Sequence, residues 1–307
     1  LKLFNEVSFA RLFKGPKFKV SNTVSKTTLF VLLCTVISVF GCRGHQEDGV
    51  LVAVSVNPLV SMASAVGGDR VEVVRLVPPG ASPHTYELMP SQVAMIGRAD
   101  LVVLVGLGFE FWAEDLLSAT RSGNGERMVI HLSDTVEPMD RNPHVWLDPV
   151  SAVSQVELIR DALVEVDPEG GPVYTENAAR FTEELQDLDR ELVSEIATWS
   201  QRSFVAFHPA WVYFARRYGL VQAAVVEETP GREPSPAEFA GIIDTARRIG
   251  ARAVFAEPQL PPGIAETLAE ESGATVLFLD PLGGSTAPSD YLGLIRYNVR
   301  TMAEAMK

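Results

Sequence analysis

The sequence predicts an α/β protein of two lobes with parallel sheets, joined by one long helix. Three observations carry this. Short β-branched apolar runs alternate with helical patterns in both halves of the 307 residues. A single apolar helix face persists through the stretch between the halves. Gly170-Gly171-Pro172 marks a break just before that stretch.

In the first half, strands read at 51–56, 71–77, 101–105 and 128–132, with helical patterns near 59–66, 90–98, 111–120 and 149–166. In the second half, strands read at 204–207, 222–226, 253–256 and 276–279, and helices at 211–218, 236–249, 263–272 and 291–306. Between them, Tyr174, Ala178, Phe181, Leu185, Leu188, Leu192 and Ile196 recur at three- and four-residue steps. A helix over 172–198 would be about 40 Å long. Pro172 suits its first turn, where a missing N–H costs little. No internal repeat stands out. The expected organisation is a signal peptide over 1–41, a tether over 42–49, a first lobe over 50–171, the helix over 172–198 and a second lobe over 199–307.

The N-terminal segment is read as an export signal. Basic residues through Lys26 precede the apolar run Leu29–Phe40, which is shorter than the roughly 20 residues of a membrane-spanning helix. Val39-Phe40-Gly41-Cys42 resembles a bacterial lipobox, in which Cys42 carries lipid and anchors the protein to a membrane. Phe40 is bulkier than the small residue usual there. The only other cysteine, Cys34, falls inside the apolar run. The domain beyond Cys42 then has no thiol, so any metal must be held by nitrogen and oxygen.

Composition narrows the function. Apolar residues make up 47% and charged residues 21%, enough for a substantial core. The net charge is −13, and without residues 1–41 it becomes −18. Such acidity disfavours nucleic acid and attracts cations. Lys307 is the one lysine beyond residue 41, which excludes P-loop and Schiff-base lysine chemistry there.

Three of the five histidines share a context: Pro83-His84-Thr85, Pro143-His144-Val145 and Phe207-His208-Pro209. Each adjoins proline at or beyond a predicted strand end. Asp280, in Leu279-Asp280-Pro281, is a fourth strand-end polar group. Ligands of open α/β sheets bind outside the carboxyl ends of strands, so facing lobes would let these four converge. Three neutral imidazoles and one carboxylate suit Zn²⁺, whereas Ca²⁺ or Mg²⁺ would want oxygen ligands. Proton competition would then weaken binding below about pH 6.5.

Taken singly, a histidine beside proline is commonly a hydrogen-bonded loop or core residue, and no compact H-E-x-x-H spacing is present. His131 reads as structural and His45 as solvent-exposed in the tether. Glu257, in Ala256-Glu257-Pro258, is a candidate for orienting a ligand histidine, or equally a loop cap. Gly106-Leu107-Gly108 lacks the third glycine of a dinucleotide loop. Asp148-Pro149 reads as a helix cap.

The same contexts carry a family resemblance. Pro78-Pro-Gly-Ala-Ser-Pro-His-Thr-Tyr-Glu87, Asn142-Pro-His-Val-Trp-Leu-Asp-Pro149, Phe207-His-Pro-Ala-Trp211, Glu233-Pro-Ser235, Glu257-Pro258, Leu279-Asp-Pro-Leu-Gly283 and Arg296-Tyr-Asn298 run in order along residues 51–306. Together they resemble the zinc- and manganese-binding solute-binding proteins of bacterial ATP-binding-cassette importers. The resemblance implies a rigid helix between the lobes and metal in the cleft, with His84 and His144 as ligands from one lobe and His208 and Asp280 from the other. Manganese-type members place Glu at the third position, so His208 favours zinc. Many zinc-type members carry a His- and acid-rich loop before the second ligand; here 133–142 is short and has no His. The disulfide of some relatives has no cysteines to form it. The implied protein is an extracytoplasmic zinc carrier, not an enzyme, and a monomer, anchored by lipid in the periplasm or at the cell surface, that delivers Zn²⁺ to an importer permease. A manganese or mixed-metal carrier is the first alternative. A zinc hydrolase with Glu257 as general base is an alternative of another class. The sequence leaves open an adhesin role beside transport.

Overall fold

The computed structural model describes residues 49–119, 127–229 and 231–307. The expected signal peptide, Cys42, His45 and the tether up to residue 48 lie outside the described residues. No described helix is long and apolar enough to cross a membrane.

Strands β1 (Val50–Val54), β2 (Val71–Arg75), β3 (Leu101–Leu104) and β4 (Met128–His131) form one sheet in the order β2-β1-β3-β4. All its pairings are parallel. Strands β5 (Ser203–Ala206), β6 (Val221–Val225), β7 (Ala253–Ala256) and β8 (Thr275–Phe278) form the other in the order β6-β5-β7-β8, again all parallel. The two sheets thus share one strand order, a structural repeat that the sequence does not display. Parallel strands are covered on both faces and therefore read as continuous apolar runs. Central β3 and β7 are buried at every residue.

In the first lobe the crossovers contain α1 (Asn57–Gly67), α2 (Pro90–Arg98) and α3 (Ala113–Ala119), and α4 (Pro149–Val166) follows β4. The expected Asp148 cap is present: its Oδ1 accepts from the Val150 N–H at 3.0 Å. The long helix is α5 (Gly171–Ile196), about 39 Å at 1.5 Å per residue. Its buried face is Tyr174, Ala178, Phe181, Leu185, Leu188, Leu192 and Ile196, the set given by the sequence periodicity, with Gly171 joining at the first turn. The entry to α5 is pinned by Asp167, which accepts from Tyr174 Oη at 2.6 Å and Arg70 Nε at 3.0 Å. The second lobe adds α6 (Val212–Tyr218), α7 (Pro236–Arg248), α8 (Gly263–Ser272) and α9 (Tyr291–Met306).

Direct bonds also tie the lobes together. Buried Trp146 donates its indole N–H to the Pro281 carbonyl at 2.8 Å, and Tyr291 Oη donates to the Trp146 carbonyl at 2.6 Å. Asn57 Nδ2 donates to the Ser289 carbonyl at 2.8 Å. A continuous apolar cluster running from β1 through α5 to α9 underlies these bonds. Leu188→Ala, at a fully buried position of α5, is expected to cost about 2–5 kcal/mol. Urea unfolding followed by circular dichroism measures it.

Candidate metal centre

Strand ends place every candidate ligand. His84 lies in the loop between β2 and α2, and His144 between β4 and α4. His208 lies two residues beyond β5, while Glu257 and Asp280 follow β7 and β8 closely. In the second sheet β5 and β7 flank the point where strand order reverses, which is where open α/β sheets form a crevice.

His84, His144 and His208 come together. One ring nitrogen from each lies within 4.8 Å of the other two. The ring centroids of His144 and His208 are 4.8 Å apart, and His84 lies 5.3 and 5.6 Å from them. His144 and His208 are each 3% exposed; His84 is partly exposed. Phe109 stands edge-on to His84 at 5.0 Å and to His144 at 5.8 Å, giving the cluster an apolar wall. Above it opens a cavity of about 530 Å³, whose lining includes Met139, Asp140, Arg141, Asn142 and Glu228.

An oxygen stands behind each buried ring. His144 Nδ1 lies 3.0 Å from Asn142 Oδ1, an amide oxygen that can only accept, so Nδ1 carries the hydrogen. His208 Nδ1 lies 2.5 Å from Glu257 Oε1, a close ring-to-carboxylate contact without the alignment of a hydrogen bond. The two Nε2 atoms face each other at 3.0 Å, a distance at which one hydrogen or a cation is shared between them. Two bare lone pairs would repel there, and a proton or a cation between them removes that repulsion. A tetrahedral zinc ion with bonds of about 2.0–2.1 Å would set such a pair about 3.3 Å apart, close to the observed spacing. The donor set therefore fits zinc.

Asp280 is fully buried but is not part of this three-histidine group. Its Oδ1 accepts from Gln259 Nε2 at 2.7 Å and from the backbone N–H groups of Leu282 and Gly283 at 3.0 and 2.8 Å. Its Oδ2 has no hydrogen-bond partner among the described residues. Asn298 clamps the Asp280 backbone by donating to its carbonyl at 2.8 Å and accepting from its N–H at 2.7 Å. His131 stays outside the group, partly exposed and 4.0 Å from Asp134.

Sequence reasoning assigned no role to three residues around the cluster: Phe109, Asn142 and Glu110. Glu110 is buried, and its two oxygens accept the N–H groups of Val105 and Gly106 at 2.9 and 3.0 Å. It braces a turn in which Gly106, Leu107 and Gly108 all have positive φ, and this turn presents Phe109 to the histidines. The glycine pair that faintly suggested a dinucleotide loop thus serves a backbone conformation that favours glycine.

Burial governs the ionisation of the site. Desolvation, with a smaller push from His208, lowers His84 to about 4. Desolvation likewise holds His144 well below the ordinary imidazole range, with His208 and His84 adding to the effect. Burial pushes the Glu257 carboxyl up, while the neighbouring His208 opposes the rise. The sequence placed the onset of proton competition near pH 6.5; for His84 burial moves it toward 4. In the unfolded chain these imidazoles bind protons near pH 6.5, and in the folded chain only at lower pH. Their contribution to stability is therefore complete above about pH 6.5 and is lost as pH falls toward 4. Each imidazole adds a slope of up to about 1.4 kcal/mol per pH unit across that window. Unfolding of the metal-free protein at successive pH values is expected to show this slope, and His84→Gln to reduce it.

Comparison with known proteins agrees with this architecture. Residues 52–305 match the family described as ZnuA, zinc-uptake complex component A, periplasmic. The manganese-binding lipoprotein MntA of Halalkalibacterium halodurans is 29% identical over 296 residues, covering 90% of this chain and 97% of MntA. The zinc-binding lipoprotein AdcA of Streptococcus pneumoniae is 29% identical over 299 residues, but the match spans only 60% of AdcA. A crystal structure of ZnuA superposes with a TM-score of 0.77 at 36% identity, covering 84% of this chain and 99% of that one. The laminin-binding protein Lbp of Streptococcus pyogenes superposes with a TM-score of 0.75 at 30% identity, covering 84% of this chain and all of Lbp's. With two parallel-sheet lobes, a long helix between them and a three-histidine cluster where they meet, the chain belongs to the ZnuA family of periplasmic zinc-uptake components.

Proposed function

We propose that this chain captures one Zn²⁺ with His84, His144 and His208, takes Asp280 as the fourth ligand, and hands the ion to the permease of an ATP-driven importer. The observation that carries the reading is the convergence of three imidazoles from two lobes, two of them with Nε2 atoms facing each other at 3.0 Å. The unpartnered Oδ2 of buried Asp280 supports its place as fourth ligand. Three neutral histidines and one aspartate leave a zinc site at +1, which needs no further anion. The acidic chain favours cation capture at a distance.

The hydrolase alternative loses its base, because Glu257 is committed to His208 Nδ1 behind the ring rather than to a water on an open face of the metal. The manganese alternative draws on MntA, but a site of three imidazoles favours zinc over manganese. Calorimetric titration of the metal-free protein is expected to give one zinc per chain, with Mn²⁺ displaced by equimolar Zn²⁺. His208→Ala is expected to weaken zinc binding at least tenfold, and unchanged affinity would sink the assignment.

The relatives named as lipoproteins support a lipid anchor on Cys42. The chain is proposed to act as an anchored monomer outside the cytoplasm. Cys42→Ser expressed in a bacterial host is expected to move the protein from the membrane fraction to the soluble fraction on cell fractionation.

A further inference from the structure

Asn142 uses both ends of its side-chain amide. Oδ1 accepts from the His144 backbone N–H and faces His144 Nδ1, both at 3.0 Å. Nδ2 donates to the carbonyl of Pro209 at 2.6 Å, on the opposite lobe and one residue beyond His208. One side chain therefore touches a candidate ligand of the first lobe and the backbone beside a candidate ligand of the second.

The loop that carries Asn142 is held in a costly conformation. Asp140 and Arg141 have φ of 47° and 59°, the left-handed region that non-glycine residues rarely adopt. Such strain persists only where surrounding contacts over-determine it. Those contacts come from Tyr213, a fully buried residue of α6. Its hydroxyl accepts from the Met139 N–H at 3.0 Å and donates to the Asn142 carbonyl at 2.8 Å. The strap 139–142 is thus clamped to the second lobe at both ends, and it lines the mouth of the cavity above the histidines.

We propose that Asn142 is a positioning residue that couples the metal centre to lobe contact: its oxygen aims His144 Nε2 at the ion, and its nitrogen keeps that aim dependent on the second lobe through Pro209. This rests on the zinc-binding reading of the three histidines. Partners that fix a ligand histidine's far nitrogen commonly change metal affinity 10- to 100-fold when removed. The nitrogen end does something different. It breaks when the lobes part, so it resists release without touching the ion.

Two substitutions separate the two ends. Asn142→Ala removes both. Asn142→Asp keeps an oxygen acceptor for His144 but sets a carboxylate against the Pro209 carbonyl. The experiment measures zinc affinity by competition with a chromophoric chelator, release rate by stopped flow, and the visible spectrum of the Co²⁺-loaded protein, which reports ligand geometry. Asn142→Ala is expected to weaken zinc 10- to 100-fold and to alter the Co²⁺ bands. Asn142→Asp is expected to keep wild-type Co²⁺ bands and release zinc faster. Tyr213→Phe, which loosens only the strap, is expected to speed release by less than Asn142→Asp.

Wild-type affinity and bands in Asn142→Ala overturn the proposal while leaving the zinc site standing. Identical behaviour of the Ala and Asp variants overturns the division between the two ends. If Asn142→Ala does not fold, the Asp and Phe variants carry the test, and wild-type release in both overturns it. Undiminished zinc binding by His208→Ala, run alongside, overturns the metal-site reading itself and with it the role given to Asn142.

Discussion

Two imidazole nitrogens from different lobes face each other at 3.0 Å, and the rest of the structure is arranged to make that approach hold. Two bare nitrogens would repel at that distance, so the approach calls for a proton or a cation between them. It needs the far nitrogens fixed, by an amide oxygen for His144 and a carboxylate for His208. It also needs the two lobes held in contact. The long helix, the Trp146 and Tyr291 bonds and the apolar cluster beneath them hold them there.

Burial then decides what the site can bind. The low-dielectric surroundings of His84 and His144 disfavour the charged imidazolium, so both rings stay neutral and available as ligands in mildly acidic surroundings. Phe109 and Trp146 wall the cluster with apolar rings on one side. A neutral, nitrogen-rich site of this kind prefers a borderline cation to a hard one. Asp280 is treated differently: one oxygen is saturated by three donors and the other is bare.

Much of the fold was legible because each element is locally consistent. The apolar face of α5 repeats at helical spacing over its whole length, and the parallel strands read as β-branched runs. Helix limits were also readable where Pro and Asp mark them, as at Asp148-Pro149. The shared strand order of the two sheets was not legible, because topology leaves no mark when side chains have diverged. The brace formed by Glu110 was equally hidden: a carboxylate in a loop looks solvated until the fold buries it against two backbone N–H groups.

The sequence by itself determined the chemistry on offer: three histidines at strand ends, an aspartate after the last strand, no cysteine beyond residue 42 and an acidic balance. These follow from residue type and local pattern, which the chain carries wherever it goes. Only the tertiary structure decided which of these groups meet. It brought His84, His144 and His208 within 4.8 Å of one another, left Asp280 outside that group, and made Asn142 the link between lobes. The reason is physical. Their separations along the chain run to more than a hundred residues, and distances across such gaps are set by how the two sheets pack, not by any local rule of the backbone.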